Sequence, residues 1–414
     1  MIADPVPACR LCGAKLTHSL VDLGATPLAN AYVTPEQAAH GVDRAFPLHA
    51  RVCESCLLVQ VDASVPPEKI FAGDYAYFSS FSAGWVAHAQ RYAADMTQRF
   101  GLGPHSLVAE VASNDGYLLR HFVAAGIPVL GIEPAAGVAE AARRLGVRTE
   151  TVFFGVDTAT ALLPRYGHAD LIAANNVLAH VPDLAGFTAG FTVLLAPEGV
   201  ATFEFPHLLY LLRQVQFDTI YHEHFSYLSL LVVERVLRDA GLRVFDVASL
   251  PTHGGSLRVF ACHHDAEHST GPGVAATREL EAAAGLHDPR SYDGFAPKVA
   301  AIQRGFRDFV AAARTEGRRL AAYGAAAKGN TFLNCCGISA RDLICVADRN
   351  PAKQGLLLPG SHIPVVSPAA LADTRPDDVV ILPWNIAAEV ASELGVLRQA
   401  GTRLWVAMPA MRLV

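Results

Sequence analysis

The chain has 414 residues, 51% of them hydrophobic and 17% charged, and a formal net charge of −6. That composition is globular and well buried, and the length exceeds one ordinary core, so two or three domains are expected. It excludes a basic nucleic-acid binder, since no basic block stands out, and no apolar run reaches membrane-spanning length.

The N-terminus, MIADPVPACR, lacks a charged region followed by an apolar core, so it does not read as a signal peptide and a cytoplasmic protein is expected. Cys9 and Cys12, then Cys53 and Cys56, form two C-x-x-C pairs. Each such turn points two thiolates at one ion, and Gly13 suits the positive φ the turn wants. Two turns close a tetrahedral shell of four thiolates, so a structural Zn2+ is expected, with four reduced thiols as the alternative.

A helical stretch from about Trp85 to Phe100 leads into alternating units of strand and helix. Residues 107–112 read as a strand, Ser113-Asn114-Asp115-Gly116 as a turn, and 117–125 as a helix. VLGIEP reads as a second strand ending at Glu133, residues 135–146 as a helix, 147–154 as a third strand, 170–175 as a fourth and 196–206 as a fifth. This pattern predicts a doubly wound parallel sheet with its ligand at the strands' C-terminal ends. The loop lacks the glycines of G-x-G-x-x-G, which weighs against a dinucleotide. S-adenosylmethionine carries no phosphate and asks for less. Glu133 is placed for its ribose, and Glu110 and Asp115 for its ammonium group, with Asn114, Gly116, Asn175 and Asn176 around it. His180 falls near the same edge, or is a helix-face histidine bonded to backbone.

After a connecting helix (208–217) comes Tyr221-His222-Glu223-His224. The two histidines stand two apart, unlike the H-E-x-x-H metal pattern, so an acid–base centre fits better than a metal. An imidazole can take a proton near neutrality, an adjacent carboxylate can fix its tautomer, and a tyrosine hydroxyl can donate to an oxyanion. His253, the glycine pair at 254–255 where a substrate could approach backbone, and Arg258 follow. Beyond about Cys262, a helix (299–317) and the strands 319–324, 342–348, 378–383 and 403–409 predict a second, smaller α/β unit. Lys328 and Asn330, at a helix start after Gly324, make a candidate diphosphate seat.

Taken in order, the paired cysteines, DLGATPLANAY, YAYFSSFS, SNDG, IEP, ANNVLAHVPDL, YHEHFSYLS, HGGSLRVF and YGAAAKGNTFLN resemble the nucleotide-sugar C-methyltransferases of deoxysugar biosynthesis. The resemblance spans the chain. It implies a zinc-binding domain (1–66), a Rossmann-like class I methyltransferase domain binding S-adenosylmethionine (67–265), and a smaller α/β domain holding the nucleotide sugar (266–414). It further implies His224 as catalytic base supported by Tyr221 and Glu223, and a substrate pocket lined by Tyr75 or Tyr77 and by His180. The expected substrate is a dTDP-linked 4-keto-deoxysugar methylated at C-3, with C-5 left open, and the expected state is a monomer. O- or N-methylation of a small metabolite, or a non-catalytic zinc-ribbon protein, are the competing readings.

Overall fold

A computed structural model describes residues 6–62, 65–66 and 78–414. Strands β1 (His18–Pro27), β2 (Ala45–Val52) and β3 (Val59–Val61) form an antiparallel meander, between and before whose strands the two cysteine turns are set. These strands lack the βα alternation that marks the rest of the chain, and periodicity alone does not predict them.

The central sheet contains β4 (Val108–Val111), β5 (Val129–Ile132), β6 (Thr149–Glu150), β7 (Ala169–Asn175) and β8 (Leu195–Pro206), all parallel. Its strands are short apolar runs buried on both faces, as a sheet covered by helices requires. The predicted third strand is realised in two residues. It is the edge strand, and it pairs only while β5 runs beside it, with Ile132 opposite Glu150. A short strand β9 (Ser226–Tyr227) comes next in the chain, followed by β10 (Leu242–Leu250) and β11 (Ser256–His263). The sheet order is β10-β11-β8-β7-β4-β5-β6, with β11 antiparallel to both neighbours. Chain order reverses between β4 and β7, which opens a crevice at their C-terminal ends.

Strand β9 does not join that sheet. It pairs with β3, Val59 opposite Tyr227 and Gln60 opposite Ser226, so the segment carrying YHEHF is stitched into the N-terminal module. A third sheet is built from β12 (Leu320–Tyr323), β13 (Val346–Ala347), β14 (Val365–Val366), β15 (Asp378–Ile381), β16 (Arg403–Val406) and β17 (Arg412–Leu413). Its order is β14-β13-β12-β15-β16-β17, and all but the last are parallel. Leu20, Leu48, Phe217, Ile220, Tyr227, Phe306 and Phe332 belong to one continuous core, so all three units close on the same apolar centre. No described helix is long and apolar enough to cross a membrane.

The exit from the YHEHF segment is fixed by a buried carboxylate. Glu281, 3% exposed, accepts from Leu230 N at 2.6 Å, Leu231 N at 3.0 Å and His207 Nε2 at 2.7 Å. Two of these donors are the unpaired amides opening helix Leu230–Asp239, where a negative charge also suits the helix dipole. Glu281→Leu therefore leaves the buried Leu230 amide and His207 ring, and the more exposed Leu231 amide, without an acceptor. Urea unfolding should show a loss of about 2–4 kcal/mol; an unchanged midpoint would mean the network contributes nothing net.

Candidate active site

The crevice at the switch point is shaped by strained backbone. Ala112, Asn114 and Asn176 hold φ of 56°, 49° and 54°, values that non-glycine residues adopt at a cost. Asn114 N donates to Glu133 Oε2 at 3.0 Å and Ala135 N to Glu133 Oε1 at 2.8 Å, so Glu133 ties the loop after β4 to the turn after β5. Gly116 serves packing: a Cβ there would lie 3.0 Å from Val147 Cγ2, at φ +78°.

Besides the Ser113 hydroxyl, which packs against Gly131, four buried oxygens in this region have no partner among the described residues: Glu110 Oε2, Asp115 Oδ1, Asn175 Oδ1 and Asn176 Oδ1. In each residue another atom of the side chain is already committed. Tyr117 donates to Glu110 and accepts from Asn175. Asp115 Oδ2 accepts from Ser80 N at 3.1 Å, and Asn176 Nδ2 lies 3.3 Å from His253 Nε2. All four unmet atoms are acceptors, a donor-seeking and electronegative set. A cationic ligand with an ammonium group fits it and a pyrophosphate does not, so S-adenosylmethionine passes the test that a dinucleotide fails. Burial pushes the Glu110 carboxyl well up and raises that of Glu133.

The four residues Tyr221 to His224 form a turn, with His224 N donating to Tyr221 O at 2.9 Å. That turn sends the four side chains to different partners. Tyr221 and His224, three apart, come together: their rings lie 4.0 Å apart and the tyrosine hydroxyl is 2.8 Å from His224 Nε2. His224 Nδ1 lies 2.8 Å from the Thr219 carbonyl, which can only accept, so Nδ1 carries the proton and Nε2 presents its lone pair. Lost hydration, then the neighbouring His180 ring, hold the His224 imidazole well below its usual pKa, so it stays neutral. The His180 ring stands 4.6 Å from it, and burial pushes His180 down to about 4. His222 turns away to the carbonyls of Phe46 and Pro47, 3.2 and 3.1 Å from its Nε2.

Glu223 corrects an expectation. It does not meet His224; Asn30 Nδ2 donates to both of its oxygens, at 2.7 and 2.9 Å. In a tight turn adjacent residues point apart, and the tautomer-fixing acceptor is the Thr219 carbonyl instead. Asn30 belongs to the ATPLANAY run, whose neighbours also reach the third unit: Asn330 Nδ2 donates to Ala29 O at 3.1 Å, and Tyr32 donates to the Ala325 carbonyl. Asn330, 1% exposed, is thus a fastener for this loop and is not displayed as a diphosphate ligand.

The third unit closes the site from the other side. Trp384 Nε1 donates to Asp218 Oδ2 at 2.7 Å, within the turn whose Thr219 holds His224. The same indole packs on Gly254, where a Cβ would come within 2.5 Å of it, and Gly255 is equally filled by Tyr210 at 2.4 Å. The glycine pair therefore accommodates side chains, not an approaching substrate. Lys328 Nζ sits 5.2 Å over the Trp384 ring and 3.4 Å from Asn385 Oδ1. Its charge reaches both His224 and His253, the latter pushed down to about 4 chiefly by burial. Arg258 departs from expectation, ion-paired with fully buried Glu204 at 2.7 Å beside His88. Tyr75 and Tyr77 lie outside the described residues. Sequence reasoning missed Asn30, Thr219, Asp218 and Trp384; the ATPLANAY run was the one signal available for them.

The sulfurs of Cys9, Cys12, Cys53 and Cys56 lie within 4.8 Å of one another, with Cys9–Cys56 and Cys12–Cys53 both at 3.5 Å. Tetrahedral zinc with bonds of about 2.3 Å sets sulfurs roughly 3.8 Å apart, so the quartet fits that ion with no coordination position left open.

Family models match in three blocks: a zinc binding domain over residues 9–71, a methyltransferase domain over 85–247, and a C-methyltransferase C-terminal domain over 251–409. C-methyltransferase NovU of Streptomyces niveus is 35% identical over 413 residues, covering 100% of this chain and 98% of that protein. Among solved structures, the 1,6-didemethyltoxoflavin-N1-methyltransferase of Burkholderia thailandensis is 20% identical, with a TM-score of 0.37, covering 50% of this chain and 95% of its own. Magnesium protoporphyrin IX methyltransferase of Synechocystis PCC 6803 is 13% identical, with a TM-score of 0.36, covering 49% and 99%.

Proposed function

Since the chain belongs to the C-methyltransferase family and is a methyltransferase, we propose that it methylates the carbon beside the ketone of an NDP-4-keto-deoxysugar, dTDP-linked and at C-3, with His224 as base. The observation that carries this reading is the state of His224: neutral, its Nδ1 proton on the Thr219 carbonyl, its Nε2 lone pair beside the Tyr221 hydroxyl.

S-adenosylmethionine, when bound, supplies an already electrophilic methyl group, so the work left to the protein is to make a carbon nucleophile. Glu110, Asp115, Asn175 and Asn176 would hold the donor's cationic end, and Glu133 its ribose. His224 Nε2 takes the proton from the carbon next to the ketone, and the pair of electrons moves onto the carbonyl oxygen. The Thr219 carbonyl stabilises the imidazolium formed through Nδ1–H. Tyr221, released from Nε2 as that nitrogen gains its proton, donates to the enolate oxygen. Lys328 adds a positive field to the same pocket and supports binding of an anionic sugar nucleotide. Methyl transfer would then depend on how the residues that hold the donor and those around His224 position that carbon against the methyl group. The cysteine quartet, with a closed shell, takes no part in the chemistry; if loaded, its zinc is structural.

The test is solvent exchange. In deuterated water, with S-adenosylhomocysteine in place of the donor, deuterium should enter C-3 of a dTDP-4-keto-deoxysugar. Methylation of oxygen or nitrogen requires no such exchange, and its absence under conditions that permit turnover would remove the enolate from the reading.

A further inference from the structure

The first cysteine turn carries a cation aimed at the catalytic segment. Arg10 stands between Cys9 and Cys12, and its guanidinium crosses β3. Nη1 donates to Val61 O at 2.6 Å, and Nη2 donates to the Phe225 carbonyl and, at 3.3 Å, to Ser226 Oγ. Its Cζ lies 5.6 Å from the centroid of the Phe225 ring. Phe225 is the residue that follows His224, and its carbonyl also accepts from Val61 N at 3.2 Å.

The turn end of the link is equally defined. Arg10 N donates to Gln60 Oε1 at 3.0 Å, and Gln60 Nε2 donates to Cys9 Sγ at 3.1 Å. Gln60 is fully buried and pairs with Ser226 across β3 and β9. One continuous set of contacts thus runs from a thiolate of the metal quartet, through Gln60 and Arg10, to the residue beside the base. A planar fork with several donors is needed to grip Val61, Phe225 and Ser226 together, which a lysine cannot do.

We propose that Arg10 is a positioning residue for His224, and that the cysteine turn, by holding Arg10, sets where the imidazole stands. The assignment rests on His224 being the base, and a shift of about 1 Å in such a group costs up to about 100-fold in rate. The experiment uses the full-length, zinc-loaded protein and its Arg10→Gln and Arg10→Lys variants. Zinc content, affinity for S-adenosylhomocysteine, amide exchange of residues 219–229, and kcat against KM are measured on each.

The expected result is one zinc per chain and unchanged S-adenosylhomocysteine affinity in Arg10→Gln. Exchange in 219–229 should be faster, and kcat about 10–100-fold lower with KM little moved; Arg10→Lys should fall between. Unchanged exchange in that segment overturns the link, and faster exchange with full kcat overturns its bearing on the base. If Arg10→Gln sheds its zinc, Arg10→Lys, which keeps a cation in the turn but cannot grip Val61, Phe225 and Ser226 together, is judged by the same two readouts. The exchange arm needs no turnover, so it decides the link even if keto sugars are not substrates.

Discussion

Replacing His224 by glutamine should lower kcat by roughly 10²–10⁴-fold, or about 3–5 kcal/mol of barrier, while S-adenosylhomocysteine still binds with its original affinity. Glutamine approximates the ring's volume and can keep a donor on the Thr219 carbonyl, so the turn should survive and the missing element is the Nε2 base. Turnover at the wild-type rate in this variant would transfer the base to another group, His180 being the adjacent one. The acid side of the wild-type kcat/KM profile makes an independent check. Because the imidazole is held well below its ordinary pKa, activity should persist as pH falls through about 6.5, where an unperturbed histidine would be half protonated.

That profile is readable only while the protein stays folded, and folding is itself linked to pH. His180 and His253, both pushed down to about 4 by burial, are neutral in both states above about 6.5 and contribute nothing there; as pH falls from about 6.5 toward 4, the unfolded state takes up their protons first and stability declines. Glu223, pushed up to about 7, and Asp218, to about 6, act oppositely: they penalise the folded state at neutral pH and relieve it on acidification. The two sets offset one another between about 6.5 and about 4. These four groups should therefore leave stability nearly level across that window, as urea midpoints at its two ends would check, and they add no slope below about 4, where all four are protonated in both states.

Local pattern carried the fold a long way. The β and α alternation of the central unit and the C-x-x-C spacing were both legible, because each is a short-range signal. The placement of Tyr221 against His224 follows from one turn of four residues. What stayed hidden was non-local. Asn30 and Glu223 are 193 residues apart, Asp218 and Trp384 166 apart, and no periodicity relates them. The strand β9 gives no sign in its two residues that it belongs to another unit's sheet. Arg258 misled for a related reason: a buried arginine reads as a ligand until its partner, Glu204 on the adjoining strand, is known. Residue type pointed to the kind of chemistry. Distant packing decided which of those side chains come together.

Cys53→Ser tests the most energetic single element of the molecule. Four thiolates crowded within 4.8 Å repel one another unless a cation holds them, and structural zinc in such shells is worth roughly 10–16 kcal/mol. The meander it organises has little core of its own: Leu20, Leu48 and Val59 are buried together with Phe217, Ile220 and Tyr227 of the segment around YHEHF. Serine is a poor zinc ligand, so the variant should contain no zinc and residues 9–61 should lose protection from amide exchange. Strands of the central sheet, whose hydrogen bonds do not involve the meander, should keep theirs, and S-adenosylhomocysteine should still bind. Phe217 and Ile220 would lose one wall of their packing, and the Thr219 carbonyl lies between them. The base should therefore be disordered although the mutated thiol belongs to another unit. Retention of one zinc per chain with unaltered exchange over 9–61 would show that the quartet does not hold this module together.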